Sequence, residues 1–137
     1  PLQEMRIIID CNIWISFLLG FQKDVMKQVL QSQHIDVFVC LQLLREIADV
    51  ATRPKIRNRI TDVDLENLLH IIRTYCQLVT ITHNAQSGIR DAKDLYLLSL
   101  AETINADYIV SGDSDLLVLE SHGKTRVVAM SEFKNLC

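Results

Sequence analysis

Arg6-Ile7-Ile8-Ile9-Asp10 is a short β-branched run that stops at an acid. A strand in the interior of a parallel sheet is covered on both faces, so it reads as a continuous apolar run without alternation. The run predicts such a strand, with Asp10 at its carboxyl end. The pattern returns at Tyr108-Ile109-Val110, which leads through Ser111 and Gly112 into Asp113. Two strands that run into acids bring two carboxylates to one edge of a sheet, the edge outside which open α/β sheets hold their ligands.

Around these two strands the periodicity alternates. Between Lys23 and Gln33 the residues Val25, Met26, Val29 and Leu30 recur at helical spacing, and Asp36–Val39 predicts a second strand. Leu44, Ile47, Ala48 and Ala51 mark one face of a helix that ends near Pro54. Thr61 and Asp64 have the spacing of a capping box, ahead of a helix carrying Leu65, Leu68, Leu69, Ile72 and Cys76. A third strand is expected over Leu78–Ile81, a mobile polar loop over Thr82–Gly88, and a helix from near Asp91 carrying Leu97, Leu98, Ala101 and Ile104. Arg126–Ala129 is expected as the last strand, with Ser131 capping a final short helix. This order predicts one α/β domain over 5–137, a three-layer α/β/α arrangement around a central, mostly parallel sheet. Pro1–Glu4 are expected to lie outside it as a remnant, with Met5 a candidate start.

With 137 residues, 49% of them apolar, the chain can bury one sizeable core, which excludes disordered and low-complexity classes. Its most apolar stretch, Ile13–Leu19, is interrupted by Ser16 and is far shorter than the roughly 20 residues of a membrane span, so no membrane partner is expected. Lys and Arg number 14 against 17 Asp and Glu, and a net charge of −3 offers no global field for nucleic acid. A local patch or a metal must do that work. Cys11, Cys40, Cys76 and Cys137 are dispersed, as in a reduced, cytoplasmic protein, and are expected to pack as apolar residues. The four histidines lack metal spacing and are expected at the surface or in loops. Gly123-Lys124-Thr125 has the end of a phosphate loop, but Val118 stands where the upstream glycine is required. Trp14, Phe17, Leu18 and Phe21 crowd one window, which predicts leftover apolar surface for a homodimer or a protein contact.

Further acids converge on the predicted edge. Asp94 lies in the first turn of a helix leaving it, Glu46 lies on the polar side of the helix after strand two, and Asp115 follows Asp113 by two residues. Two carboxylates about 5 Å apart repel by roughly 3 kcal/mol at an effective dielectric near 20. A hard divalent cation relieves that repulsion, and an all-oxygen set suits Mg²⁺ or Mn²⁺ better than Zn²⁺. The chemistry expected of such a site is phosphodiester hydrolysis. The competing role for any one of these acids is a helix cap, and Asp91 is expected to be one. Asp49 and Asp107 are expected as solvated surface acids. Asn12 is expected either to cap a helix or to hydrogen-bond a carboxylate or a metal-bound water. Arg53, Lys55, Arg57 and Arg59 put four basic residues into seven positions, a track for RNA phosphates or an exposed helix end.

Four blocks stand in order along the chain: Ile7-Ile8-Ile9-Asp10-Cys11-Asn12; Val39-Cys40-Leu41-Gln42-Leu43-Leu44-Arg45-Glu46-Ile47 running on to Arg53-Pro54-Lys55; Arg90-Asp91-Ala92-Lys93-Asp94; and Val110-Ser111-Gly112-Asp113-Ser114-Asp115-Leu116-Leu117. Together they resemble the PIN-domain ribonuclease family, in particular the bacterial group of toxin components of toxin–antitoxin systems. Cys11, Cys40 and Ser111 depart from the small residue, Ser and Thr usual there, without touching an acid. The resemblance implies an endoribonuclease with RNA as substrate, Mg²⁺ or Mn²⁺ as cofactor, and a small antitoxin as partner. It implies that Asp10, Glu46, Asp94 and Asp113 are the catalytic, metal-holding acids, that Asp115 supports them, and that Asn12 and Ser111 orient ligands or phosphate. The alternatives are a PIN-like RNA-binding or assembly module with little activity, and a phosphatase or phosphoreceiver. A phosphatase would show a second Asp where this chain has Asn12.

Overall fold

The computed structural model describes residues 4–85 and 94–137. Its strands are β1 (Met5–Ile9), β2 (Ile35–Val39), β3 (Cys76–Leu78), β4 (Tyr108–Val110), β5 (Ser121–His122) and β6 (Thr125–Val128). Its helices are α1 (Cys11–Leu18), α2 (Lys23–Gln31), α3 (Leu41–Thr52), α4 (Pro54–Arg57), α5 (Asp62–Tyr75), α6 (Leu95–Ile104), α7 (Ser114–Leu117) and α8 (Met130–Phe133). The strands form one sheet in the order β3-β2-β1-β4-β6-β5. All pairings are parallel except β5 with β6. Helices flank this sheet in the expected three-layer α/β/α arrangement.

Ile7, Ile8 and Ile9 are wholly buried, as two-sided cover of a central strand requires. β1 pairs with β2 on one side and β4 on the other. The chain order therefore reverses beside β1, the kind of switch point at which open α/β sheets form their ligand crevice outside the carboxyl ends of the strands. Asp107 reinforces the pairing from below: its carboxylate accepts the Arg6 N–H at 2.8 Å and lies 3.8 Å from Lys124. It is thus a surface acid, as expected, with its side chain 40% exposed, and a fastener between strands as well.

The capping box at Thr61 is present, with the two reciprocal bonds at 2.8 and 3.1 Å. Other boundaries differ from expectation. Cys76 satisfies the helical period of α5 but turns extended and opens β3, so the third strand is Cys76–Leu78 and not Leu78–Ile81. Ala129, not Ser131, occupies the N-cap of α8, because that start lets Met130 and Phe133 both reach the core. Thr82–Ala85, expected as the start of a mobile loop, is latched to α6. The N–H groups of Thr82 and His83 both donate to Thr103 Oγ1 at 3.1 Å, and the Ala85 N–H donates to Ser99 Oγ at 3.0 Å. The rest of that loop, the expected start of the next helix and Asp91 lie outside the described residues. The small hairpin β5–β6 was not expected. Gly123 makes its turn at φ +59°, which is the reason for the glycine.

The apolar window of α1 is also corrected. Trp14 is fully buried, Phe17 and Leu18 pack half-buried against the core, and of the four only Phe21 is exposed, at 55%. The apolar surface open there is therefore smaller than the sequence window suggests. Among the described residues no helix is long and apolar enough to cross a membrane. Cys11 and Cys40 are buried packing residues, and all four cysteines are free thiols. His34, His70 and His83 are exposed, and the half-buried His122 sits 2.8 Å from Glu102.

Candidate functional site

Asp10 follows β1 directly, and its backbone N–H donates to the Val110 carbonyl at 2.9 Å, which ties the ends of β1 and β4 together. Its side chain caps α1 by accepting the Cys11 N–H at 2.7 Å through Oδ1. The other oxygen, Oδ2, accepts the Ser111 hydroxyl at 2.7 Å. Ser111 is itself wholly buried, and its Oγ also accepts the Asp113 N–H at 3.0 Å. One hydroxyl therefore sets the position of both strand-end acids. Asp113 caps α7 by accepting the Asp115 N–H at 2.9 Å.

Asp94 stands at the N-cap position of α6, yet its side chain makes no capping bond. It hydrogen-bonds Asp113 instead. Burial, that bond, and the charges of Asp10, Asp113 and Glu46 push its carboxyl from 3.8 up to about 7. Asp10, only 3% exposed, is raised as well. Burial is the main cause, opposed by the bonds from Ser111 and the Cys11 N–H and reinforced by Glu46 and Asp113. Glu46, on α3, accepts a hydrogen bond from the Tyr96 hydroxyl on α6. Burial and the facing Glu46 hold Tyr96 above the usual phenol range.

Asp10, Glu46, Asp94 and Asp113 thus lie within one another's fields at the crevice beside β1. Among the described residues no Lys or Arg forms an ion pair with any of the four. Asp115 is half-buried in the first turn of α7. Asn12 is exposed on α1, whose cap is Asp10, so the capping role expected as one option for Asn12 is not its own. Arg53 pairs with Asp49 at 3.1 Å, and its charge still reaches buried Cys11, next to Asp10. Lys55, Arg57 and Arg59 are exposed, and Arg57 pairs with Asp62 at 2.5 Å.

Sequence reasoning missed Tyr96. The one sequence-level hint is that its hydroxyl is the first polar group in the otherwise apolar run Leu95-Tyr96-Leu97-Leu98, two residues after Asp94. Its partner lies 50 residues away.

The donors suit a hard divalent cation chemically: all are carboxylate oxygens, and among the described residues Asp10, Glu46, Asp94 and Asp113 have no Lys or Arg ion pair to offset their repulsion. As they stand, no group of three or more His, Cys, Asp or Glu among the described residues is arranged to hold a metal ion. Their oxygens are instead bound to Ser111, Tyr96, backbone N–H groups and each other.

No curated protein matches the chain. Among solved structures, the PIN domain of human SMG5 superimposes with a TM-score of 0.56 at 10% identity, covering 96% of this chain and 97% of that one. The T. brucei RRP44 PIN domain does so with a TM-score of 0.47 at 14% identity, covering 98% and 81%. The first shows the same fold. A family model described as PIN domain matches residues 6–115, a span that runs from β1 into α7 and includes all four acids. The chain belongs to the PIN domain family, whose members are generally nucleases that typically use divalent metals.

Proposed function

We propose that this protein is a divalent-metal-dependent endoribonuclease. Asp10, Glu46, Asp94 and Asp113 would hold Mg²⁺ or Mn²⁺, with Asp115 in support. The observation that carries the reading is Asp94: buried, not used as a cap, and raised to about 7 beside three other acids. A fold with no use for a cation gains nothing from this repulsion. Bound there, a divalent cation supplies Lewis acidity toward a phosphate oxygen and offsets the charge that develops on it.

The chain's own residues do the positioning. Ser111 and the Cys11 N–H each hold one oxygen of Asp10, so its carboxylate has a fixed plane. To accept a cation, Asp94 would have to give up the proton that its raised carboxyl retains, which would make binding proton-linked. Tyr96 fixes one oxygen of Glu46. Asn12, exposed at the start of α1, would meet a phosphate from the solvent side. Arg53, whose charge reaches Cys11, and the exposed Lys55, Arg57 and Arg59 that follow it would serve as a track for further phosphates. The finer assignment, a toxin restrained by a small antitoxin, is supported by the four motif blocks. Induced expression that arrests growth, with Asp10→Asn relieving the arrest, tests it.

The central test is cleavage of a panel of RNAs by the purified protein with Mn²⁺, beside Asp10→Asn. Metal-dependent cleavage lost in the variant is expected. RNA binding without cleavage at any metal level, unchanged by the variant, would establish the second reading, a binding or assembly module. That reading is favoured by one observation, that the acids do not form a ready metal-holding group among the described residues.

Two further results are expected. Tyr96→Phe removes the donor to Glu46, and calorimetric Mn²⁺ affinity should fall by about tenfold, with the melting temperature little changed. Equal affinity would show that the tyrosine merely packs. Replacing Arg57 and Arg59 with Gln should weaken RNA binding on every sequence and flatten its salt dependence by up to about one logarithmic unit for each phosphate no longer neutralised. An unchanged salt slope would assign those residues to solubility.

A further inference from the structure

Away from the acid crevice, α3 and α5 leave a hollow of about 300 Å³ between them, lined by Leu44, Ala48, Leu69 and Ile72 and rimmed by Arg45 and Arg73. Arg45 also lines a neighbouring hollow of about 300 Å³, with Leu41, Leu78 and Ile81. Two of the most exposed large apolar side chains of the molecule fall here, Leu41 at 51% and Leu78 at 64%. Leu78 ends β3, which is an edge strand with no neighbour on its outer side among the described residues. Both arginines are exposed, and among the described residues neither has an ion pair.

An apolar floor between two uncompensated guanidinium groups selects a particular partner. We propose that this face docks an acidic amphipathic helix of another protein, with apolar side chains seated in the two hollows and Asp or Glu carboxylates paired with Arg45 and Arg73. Helix-in-groove recognition takes its affinity from the apolar anchors, and charges at the rim set specificity and rate of encounter. Planar bidentate pairing with a carboxylate is the interaction for which arginine is best shaped. A second copy of this chain fits less well, because isologous pairing through this face brings the same guanidinium groups toward each other. Single-stranded RNA also fits less well, because the floor is aliphatic and gives bases no ring to stack on. The proposal is independent of the nuclease reading.

The test is a displayed library of helices about four turns long, apolar on one face and with free choice at the flanking positions, selected on the full chain. Selected clones should carry Asp or Glu on the flanks. As synthetic peptides they should lose at least about tenfold in affinity against Arg45→Glu/Arg73→Glu, and Lys-flanked versions should regain it. Thermal melting of the double variant checks that it folds, and a Leu44→Gln variant gives an independent reading of the floor. Four outcomes would overturn the proposal: no binding clone; clones with neutral or basic flanks; clones indifferent to the charge reversal; or light scattering that shows a dimer which the reversal dissociates. An RNA oligonucleotide that loses affinity on the reversal, while the peptides do not, would overturn it in favour of nucleic acid.

Discussion

Asp94→Asn is expected to stabilise the metal-free protein at pH 7 by about 1–3 kcal/mol while lowering Mn²⁺-dependent cleavage by about 100-fold or more. The stability term follows from linkage. The folded carboxyl is raised to about 7 from an ordinary 3.8, so ionising it costs more in the fold than in the unfolded chain. Below 3.8 both states hold the proton and there is no penalty. Between 3.8 and 7 the folded state holds more protons, so stability falls as pH rises, and above about 7 the full penalty is present. Screening by solvent, and relaxation of Asp113 when its partner changes, reduce the full shift to the range given. The Asn amide is neutral and can still donate to Asp113, so it keeps the hydrogen bond and removes the charge. Loss of a cap does not confuse the result, because Asp94 makes no capping bond. The measurements are thermal unfolding in EDTA over a pH series from mildly acidic to mildly basic and RNA cleavage with Mn²⁺. The advantage of the variant should shrink toward the acidic end. An unchanged midpoint together with near-normal cleavage would remove Asp94 from the site.

The sheet edge that Asp94 joins was legible because the signal is local. A β-branched run ending in Asp or Ser-Gly-Asp marks both a two-sided strand and the edge it points to, and β1 and β4 form as that signal implies. Edge elements carry weaker signals. β3 and β5 are three and two residues long, and each has residues open to solvent, so alternation has no length over which to show. Cys76 obeys the helical period and the strand at once, and tertiary pairing with Val37 decides between them. Ser131 is a better cap than Ala129 by propensity, but the burial of Met130 and Phe133 outweighs the cap.

Within the site, the role of each acid divides along the same line. Asp10 and Asp113 are caps and cluster members together, so the two roles of an acid at a helix start are not exclusive. Asp94 separates them, and only its missing cap bond shows it. The Ser111 bridge and the Tyr96–Glu46 bond join residues 101 and 50 positions apart, and no periodicity encodes such pairs.

Trp14 is the residue whose place the sequence pattern misjudges, and its burial carries the second large effect: Trp14→Ala should cost about 3–5 kcal/mol of stability. The helix α1 packs on α3 and α5 as well as following β1, so it is covered on more of its circumference than a surface helix. The window Trp14-Ile15-Ser16-Phe17-Leu18 is therefore too apolar for a one-sided helix, and Trp14 goes inward against a second layer. Trp14 is fully buried and meets Phe17 with ring centroids 6.5 Å apart. Its indole N–H has no hydrogen-bond partner among the described residues, a defect worth about 1–3 kcal/mol. Trp14→Phe deletes that unpaired donor along with some ring volume, so its two terms oppose, and a net change within about 1 kcal/mol is expected. Urea unfolding of both variants, with slopes matching the parent, separates the outcomes. If Trp14 served association and not the core, Trp14→Ala would leave the midpoint within about 0.5 kcal/mol of the parent and change the mass by light scattering. A large loss for Ala and a small one for Phe would fix the residue in the interior, one turn along the helix that Asp10 caps.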